Sequence, residues 1–210
     1  MRKMTFTWLL IVSSAILIFS MMNPPRTEGQ PPSPGTQLKS RIKREDAATS
    51  FTITRFTISS PAIAQDKPIA KKFTGEGADV SPPLEWGSSP KGTQEFALIC
   101  DDPDAPMAEP WVHWVIYGIP SSITKLPEAK PGKSLPSGIA GIREGKNSWG
   151  NTGYGGPLPP KGHGRHRYYF RIYALDMKLN LPEGADKKQL LSAMKGRILG
   201  KTEIMGTYER

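Results

Sequence analysis

A mostly β fold is what this sequence predicts, and three observations predict it. Gly and Pro each number 21 in 210 residues, which favours many turns and short strands over a helix bundle. Short apolar or alternating runs recur between turn-rich stretches. A helical period occurs convincingly in only one segment, close to the C-terminus.

Taken in chain order, the first element is a targeting device. Arg2 and Lys3 precede an uncharged, apolar stretch over residues 4–22. A basic flank followed by an apolar run reads as a secretory signal or a membrane anchor, and its length is near the roughly 20 residues that span a bilayer. No Ala-x-Ala cleavage site is apparent, so both readings stay open. In either case the positive flank stays in the cytoplasm and the rest lies outside, anchored, secreted or periplasmic. Residues 23–48 follow as a flexible linker. Pro24, Pro25, Pro31, Pro32 and Pro34 alternate with polar residues, and Lys39, Arg41, Lys43 and Arg44 follow. Such a segment buries too little apolar surface to fold. Residues 49–210 form the folded domain.

Within that domain, residues 51–59 alternate Thr with Phe and Ile, a strand pattern. Residues 95–100 and 114–119 are strongly apolar runs, and residues 167–175 alternate. Tyr168, Phe170, Ile172 and Ala174 take one side of that last run, with Tyr169, Arg171 and Tyr173 on the other. From Asp186 onward Leu190, Met194 and Ile198 recur every four residues. Asp186 with Gln189 resembles a capping box, and Gly200 is the expected stop.

The formal net charge is +9, of which +4 lies in the first 46 residues. The rest is a moderate excess that favours anionic ligands without specifying nucleic acid. No basic stripe with interleaved aromatics, zinc-finger spacing or Gly-Lys-Ser/Thr phosphate loop is present. The single cysteine, Cys100, ends an apolar run and reads as a buried core thiol.

All three histidines fall in two segments. The first is Asp101-Asp102-Pro103-Asp104-Ala105-Pro106 with Trp111-Val112-His113-Trp114. The second runs from Gly155-Gly156-Pro157-Leu158-Pro159-Pro160 through Lys161-Gly162-His163-Gly164-Arg165 to His166-Arg167-Tyr168. Each couples a Pro-stiffened loop to a histidine entering a strand. Asp102 and Asp104, two apart, can aim both carboxylates to one side. Ala105-Pro106 is a candidate cis turn. Trp111 shares a strand face with His113, as His166 does with Tyr168. His163, between two glycines, is read as loop. A histidine beside a carboxylate tends to gain a proton, so an anion could bind protonated His113 or His166 while the aspartates hold the rings. Metal is disfavoured, because the spacings lack a His-x₃-His or Cys-x₂-Cys form. Catalysis is disfavoured too: there is no Gly-x-Ser-x-Gly elbow, and no serine placed by sequence beside a histidine.

At these residues the chain resembles the phosphatidylethanolamine-binding protein family, which includes Raf kinase inhibitor protein, and especially its bacterial and archaeal branch. The matching stretches begin with Phe73-Thr74-Gly75-Glu76-Gly77 and Ser81-Pro82-Pro83-Leu84-Glu85-Trp86. They continue with Asp102-Pro103-Asp104-Ala105-Pro106, His113-Trp114, Gly153-Tyr154-Gly155-Gly156-Pro157 and Pro159-Pro160-Lys161-Gly162. His166-Arg167-Tyr168, Tyr173-Ala174-Leu175-Asp176 and Gly206-Thr207-Tyr208-Glu209-Arg210 complete them. The resemblance covers residues 52–210. It implies a β-sandwich with a large central antiparallel sheet, a smaller sheet and peripheral helices. It also implies a pocket for phosphate-type headgroups, formed by Asp102, Asp104, Pro106, Trp111, His113, Pro159, Pro160, His166 and Tyr168. Leu158 stands where many bacterial relatives have cysteine, and Gly200 interrupts the usual end of the late helix.

The function expected is therefore non-catalytic binding of a phosphate- or carboxylate-bearing small ligand outside the membrane, with no cofactor, metal or nucleic acid. An inhibitor or regulator of a protein partner, such as a protease or kinase, is the alternative, and a phosphoester hydrolase the third. Dimerisation is left open.

Overall fold

A computed structural model describes residues 55–129 and 141–210. The expected leader over residues 1–22, the expected linker over 23–48 and the start of the expected first strand lie outside the described residues. The strands are β1 (Thr57–Ser59), β2 (Lys67–Pro68), β3 (Leu84–Gly87), β4 (Glu95–Asp102), β5 (Trp111–Pro120), β6 (Lys125–Leu126), β7 (Arg143–Glu144), β8 (His166–Leu175) and β9 (Ile198–Tyr208). Helix α1 spans Lys187–Met194, and a 3-10 turn covers Lys71–Phe73.

Two sheets result, as expected. The larger has six strands in the order β2-β9-β8-β4-β5-β7, antiparallel throughout except for the short parallel β2–β9 pair. The smaller is the antiparallel β1-β3-β6. Strand β4 is buried at all eight positions because both its faces are covered, which is why it reads as a continuous apolar run. Phe96, Leu98 and Cys100 join Tyr168, Phe170 and Ile172 of β8 and Leu84 and Trp86 of β3 in the core between the sheets. Ala97 and Ile99 face the other way, with Val115, Tyr117, Leu190 and Met194. Cys100 lies in the core, where burial pushes its thiol pKa well up.

Helix α1 starts as expected. Asp186 Oδ1 accepts from the Gln189 backbone N–H at 2.8 Å, and the Gln189 side chain accepts from the Asp186 N–H at 2.9 Å. It ends sooner than expected. Gly196, at φ +73°, turns the chain, and Ile198 and Gly200 belong to β9. A Cβ at Gly200 would lie 2.9 Å from Pro90 Cγ, so this glycine answers to packing of the strand and not to a helix stop. The Ala105–Pro106 bond is trans; no cis peptide occurs among the described residues.

The capping box supplies a direct test. Asp186→Ala should lower stability by about 1 kcal/mol in urea denaturation, and a change within error would show that packing of Leu190 and Met194 alone holds the helix.

Candidate functional site

The site lies at one end of the large sheet, where β4 finishes and β5 and β8 begin. Asp102 pairs with Trp111 across β4–β5, and Asp101 pairs with Tyr169 across β4–β8. Antiparallel pairing thus brings together segments some 60 residues apart. Strand β5 carries one extra residue here. Trp114 pairs with Cys100 and Val112 with Asp101, which leaves His113 as the bulge. Without the bulge, strict alternation would send Trp114 and His113 to opposite faces. With it, Trp114 enters the core between the sheets while His113 packs edge-on against Tyr168, a residue of the same core, at 5.0 Å between ring centroids. Val112 packs with the helix-side core.

The result is a cavity of about 200 Å³ lined by Asp102, Pro106, Trp111, His113, Pro159, Pro160, His166 and Tyr168, joined by Ala105, Met107, Trp149 and Leu158. Eight of the nine expected site residues therefore meet. Asp104 does not line it. Asp102 Oδ1 accepts from the Asp104 backbone N–H at 2.8 Å, a local turn that swings the next carboxylate outward. There Asp104 binds Arg167 through the backbone N–H at 2.9 Å, Nε at 2.8 Å and Nη2 at 2.6 Å. The hydrogen bonds from Arg167 hold the Asp104 carboxyl below its usual range.

At the base, His166 Nδ1 lies 2.6 Å from Asp102 Oδ2, and both side chains are buried. An ionised carboxylate only accepts, so Nδ1 carries the proton. His113 Nδ1 lies 2.6 Å from the Gly155 carbonyl and must donate to it. Burial lowers the His113 pKa, outweighing the opposing pull of Gly155 and Asp102. The ring is then neutral at neutral pH, with a lone pair on Nε2. This corrects the expectation of a proton gained from the nearby carboxylate: desolvation outweighs the carboxylate. The Tyr168 hydroxyl is buried beside Asp102 and makes no hydrogen bond of ordinary length among the described residues. Burial, then the Asp102 charge, push its pKa up, so it stays a donor.

Trp149 and His163 were not legible as site residues. Trp149 sits edge-to-face on Trp111 at 5.3 Å and on His113 at 5.1 Å. Its turn is built by Asn147, whose Oδ1 accepts from the N–H of Trp149 at 3.0 Å and of Asn151 at 3.1 Å. An Asn-x-Trp-Gly turn was the only available signal. His163 Nδ1 lies 2.7 Å from His166 Nε2, a contact that sequence spacing does not report.

The Pro-rich wall is pinned from behind. Asp79 Oδ1 accepts from the Gly156 N–H at 2.6 Å, and the Gly75 N–H donates to the Pro157 carbonyl at 3.0 Å. A Cβ on Gly156 would lie 2.6 Å from the Phe73 carbonyl oxygen, so only glycine permits this approach. Arg210 Nη1 donates to the Pro159 carbonyl at 3.2 Å.

Comparison with known proteins gives a consistent result. Residues 59–209 match the family described as phosphatidylethanolamine-binding protein. A UPF0098 protein of Aquifex aeolicus is 44% identical over 154 residues, covering 73% of this chain and 88% of that protein. A UPF0098 protein of Methanothermobacter thermautotrophicus is 46% identical over 143 residues, covering 68% and 91%. The crystal structure of Escherichia coli YbcL, described as a new member of the mammalian PEBP family, superposes with a TM-score of 0.69 at 30% identity. That match covers 74% of this chain and 98% of YbcL.

The buried His113 sets a pH dependence. Its folded pKa is below the ordinary 6.5, so between the two values the unfolded chain binds more protons. The stability it contributes is complete above the unfolded value and is lost as pH falls through that window. Asp79 and Glu95, whose pKa values burial raises, act with the opposite sign at lower pH. The difference between parent and His113→Gln therefore isolates the histidine. In urea denaturation from pH 7 to 5 the parent should lose stability more steeply than the variant; parallel curves would contradict the burial argument.

Proposed function

The chain belongs to the phosphatidylethanolamine-binding protein family, and on that premise we propose that the cavity binds a small anionic group, a phosphate or carboxylate of headgroup type, without turning it over. The observation that carries this reading is Tyr168, which lines the cavity with His113 and His166 and whose buried hydroxyl makes no hydrogen bond of ordinary length among the described residues. A buried polar group with no partner costs about 1–3 kcal/mol, a penalty that a ligand oxygen would remove. Trp111, Trp149 and the prolines exclude water around it and strengthen any charge interaction inside. Both histidines are bonded at Nδ1 to groups that only accept, Asp102 and the Gly155 carbonyl, which orients the rings, and no Ser, Thr or Cys stands among the described residues that line the cavity to serve as a nucleophile. The nearby Ser148 hydroxyl accepts from the Val112 N–H at 2.8 Å, on the opposite side of β5 from the cavity.

Asp102 would repel an anion, and the neutral His113 offers it a lone pair. Binding therefore takes up a proton. The ligand charge raises the His113 pKa, Nε2 becomes a donor, and affinity rises as pH falls. The apolar stretch over residues 4–22, behind a basic flank, supports a location of this domain outside the membrane, anchored or released.

Calorimetric titration with inorganic phosphate should show saturable 1:1 binding that tightens from pH 8 to pH 6. His113→Ala and His166→Ala should each weaken it by roughly 10-fold or more, the worth of a hydrogen bond to a charged group. Affinity unchanged from the parent in both variants would remove the pocket assignment. For location, protease added outside intact cells should reach the domain of the full chain; complete protection would place it inside.

A further inference from the structure

Both ring nitrogens of His166 are engaged. Nδ1 donates to Asp102, and Nε2, the one ring nitrogen left for a ligand, meets His163 Nδ1 at 2.7 Å. His163 is exposed, three residues upstream. It stands on a turn whose Gly162 and Gly164 have φ of +73° and +88°, a region open to glycine. Apart from the adjoining residues, no atom lies within 4 Å of where a Cβ on either glycine would sit, so the tip of the turn stands clear of its surroundings. The turn is held from below by the Gly162 N–H on the Arg210 carbonyl at 3.0 Å and the His163 N–H on the Pro160 carbonyl at 3.2 Å.

Proton positions follow from the partners. Asp102 fixes one proton on Nδ1 of His166. For the ring to offer an N–H to a ligand, Nε2 must carry a second, and in that state the proton already points at His163. Without it, the bond runs the other way and Nε2 has no proton to offer. Either way a ligand oxygen meets an occupied nitrogen.

We infer that His163 is an internal competitor for the binding site: a resident partner of His166 Nε2 that an anion must displace, swinging the turn between Gly162 and Gly164 outward. The inference rests on the pocket reading above and adds its regulation. A bond between charged partners is stronger than one from a charged ring to a neutral imidazole, so an oxyanion wins the exchange. The contact nevertheless reduces apparent affinity by the fraction of molecules in which it is closed.

The test uses the full chain and inorganic phosphate. His163→Ala should bind phosphate about 2–10-fold more tightly, the equilibrium worth of one ordinary hydrogen bond. His163→Asn, which removes the imidazole but keeps an oxygen acceptor, should stay near the parent. In the His166→Ala background, His163→Ala should change nothing. Nitrogen-15 spectra of the parent should show His163 Nδ1 and His166 Nε2 shifting together as phosphate saturates. If the parent binds phosphate but His163→Ala binds equally or more weakly, or the His163 signals do not move, the pocket stands and the competitor is overturned. If neither parent nor His163→Ala binds phosphate, the pocket reading fails and this inference falls with it.

Discussion

Two successive carboxylates at the end of the central strand set the terms for everything around them. Asp101 and Asp102 are both almost fully buried, and a buried charge is tolerable only when paired. They point to opposite faces of the sheet. Asp101 is held by Arg171 of β8 and by Lys187, the first residue of α1, whose Nζ lies 2.5 Å from Oδ2. Asp102 is held by His166 at the start of β8. One pair ties the sheet to the helix, and the other forms the floor of the cavity. A one-residue slip of β4 against β8 would exchange the two carboxylates and leave both unpaired.

The bulge at His113 matters for the same reason. Strand parity sends neighbouring side chains to opposite faces, yet here the site takes His113 while the core between the sheets takes Trp114. One inserted residue resolves the conflict. Trp114 anchors in the core and donates Nε1 to Glu144 at 2.9 Å, while His113 is turned onto Tyr168 and Trp149. The imidazole is then held on two sides by rings and at Nδ1 by a carbonyl, so its chemistry is confined to Nε2.

Much of this was legible in the sequence, for reasons that differ by element. Strands β4, β5 and β8 are covered on both faces or alternate cleanly, and their patterns show it. Strand β9 does not: Gly200, Lys201, Glu203 and Gly206 break its apolar period, and Ile198 happens to continue the four-residue spacing of Leu190 and Met194 across a helix end. At the site, spacing by two found Trp111 with His113 and His166 with Tyr168, because strand geometry is regular there. The same rule failed for Asp102 and Asp104, where a side chain bonding its own backbone replaced the strand with a turn. Trp149 and His163 reach the site from turns, and turns carry no periodicity from which to read a direction.

Cys100 sits one residue before the paired carboxylates, in the middle of the sheet, with its thiol enclosed and its ionisation suppressed by burial. A thiol reagent attacks the thiolate, so this sulfur is silent while β4 stays zipped between β5 and β8. Its rate of labelling is therefore set by how often the sheet opens at its centre, not by fraying of loops or by motion at the cavity mouth. The chain carries a native chemical clock for its own global unfolding, sited beside the residues whose pairing holds the domain closed.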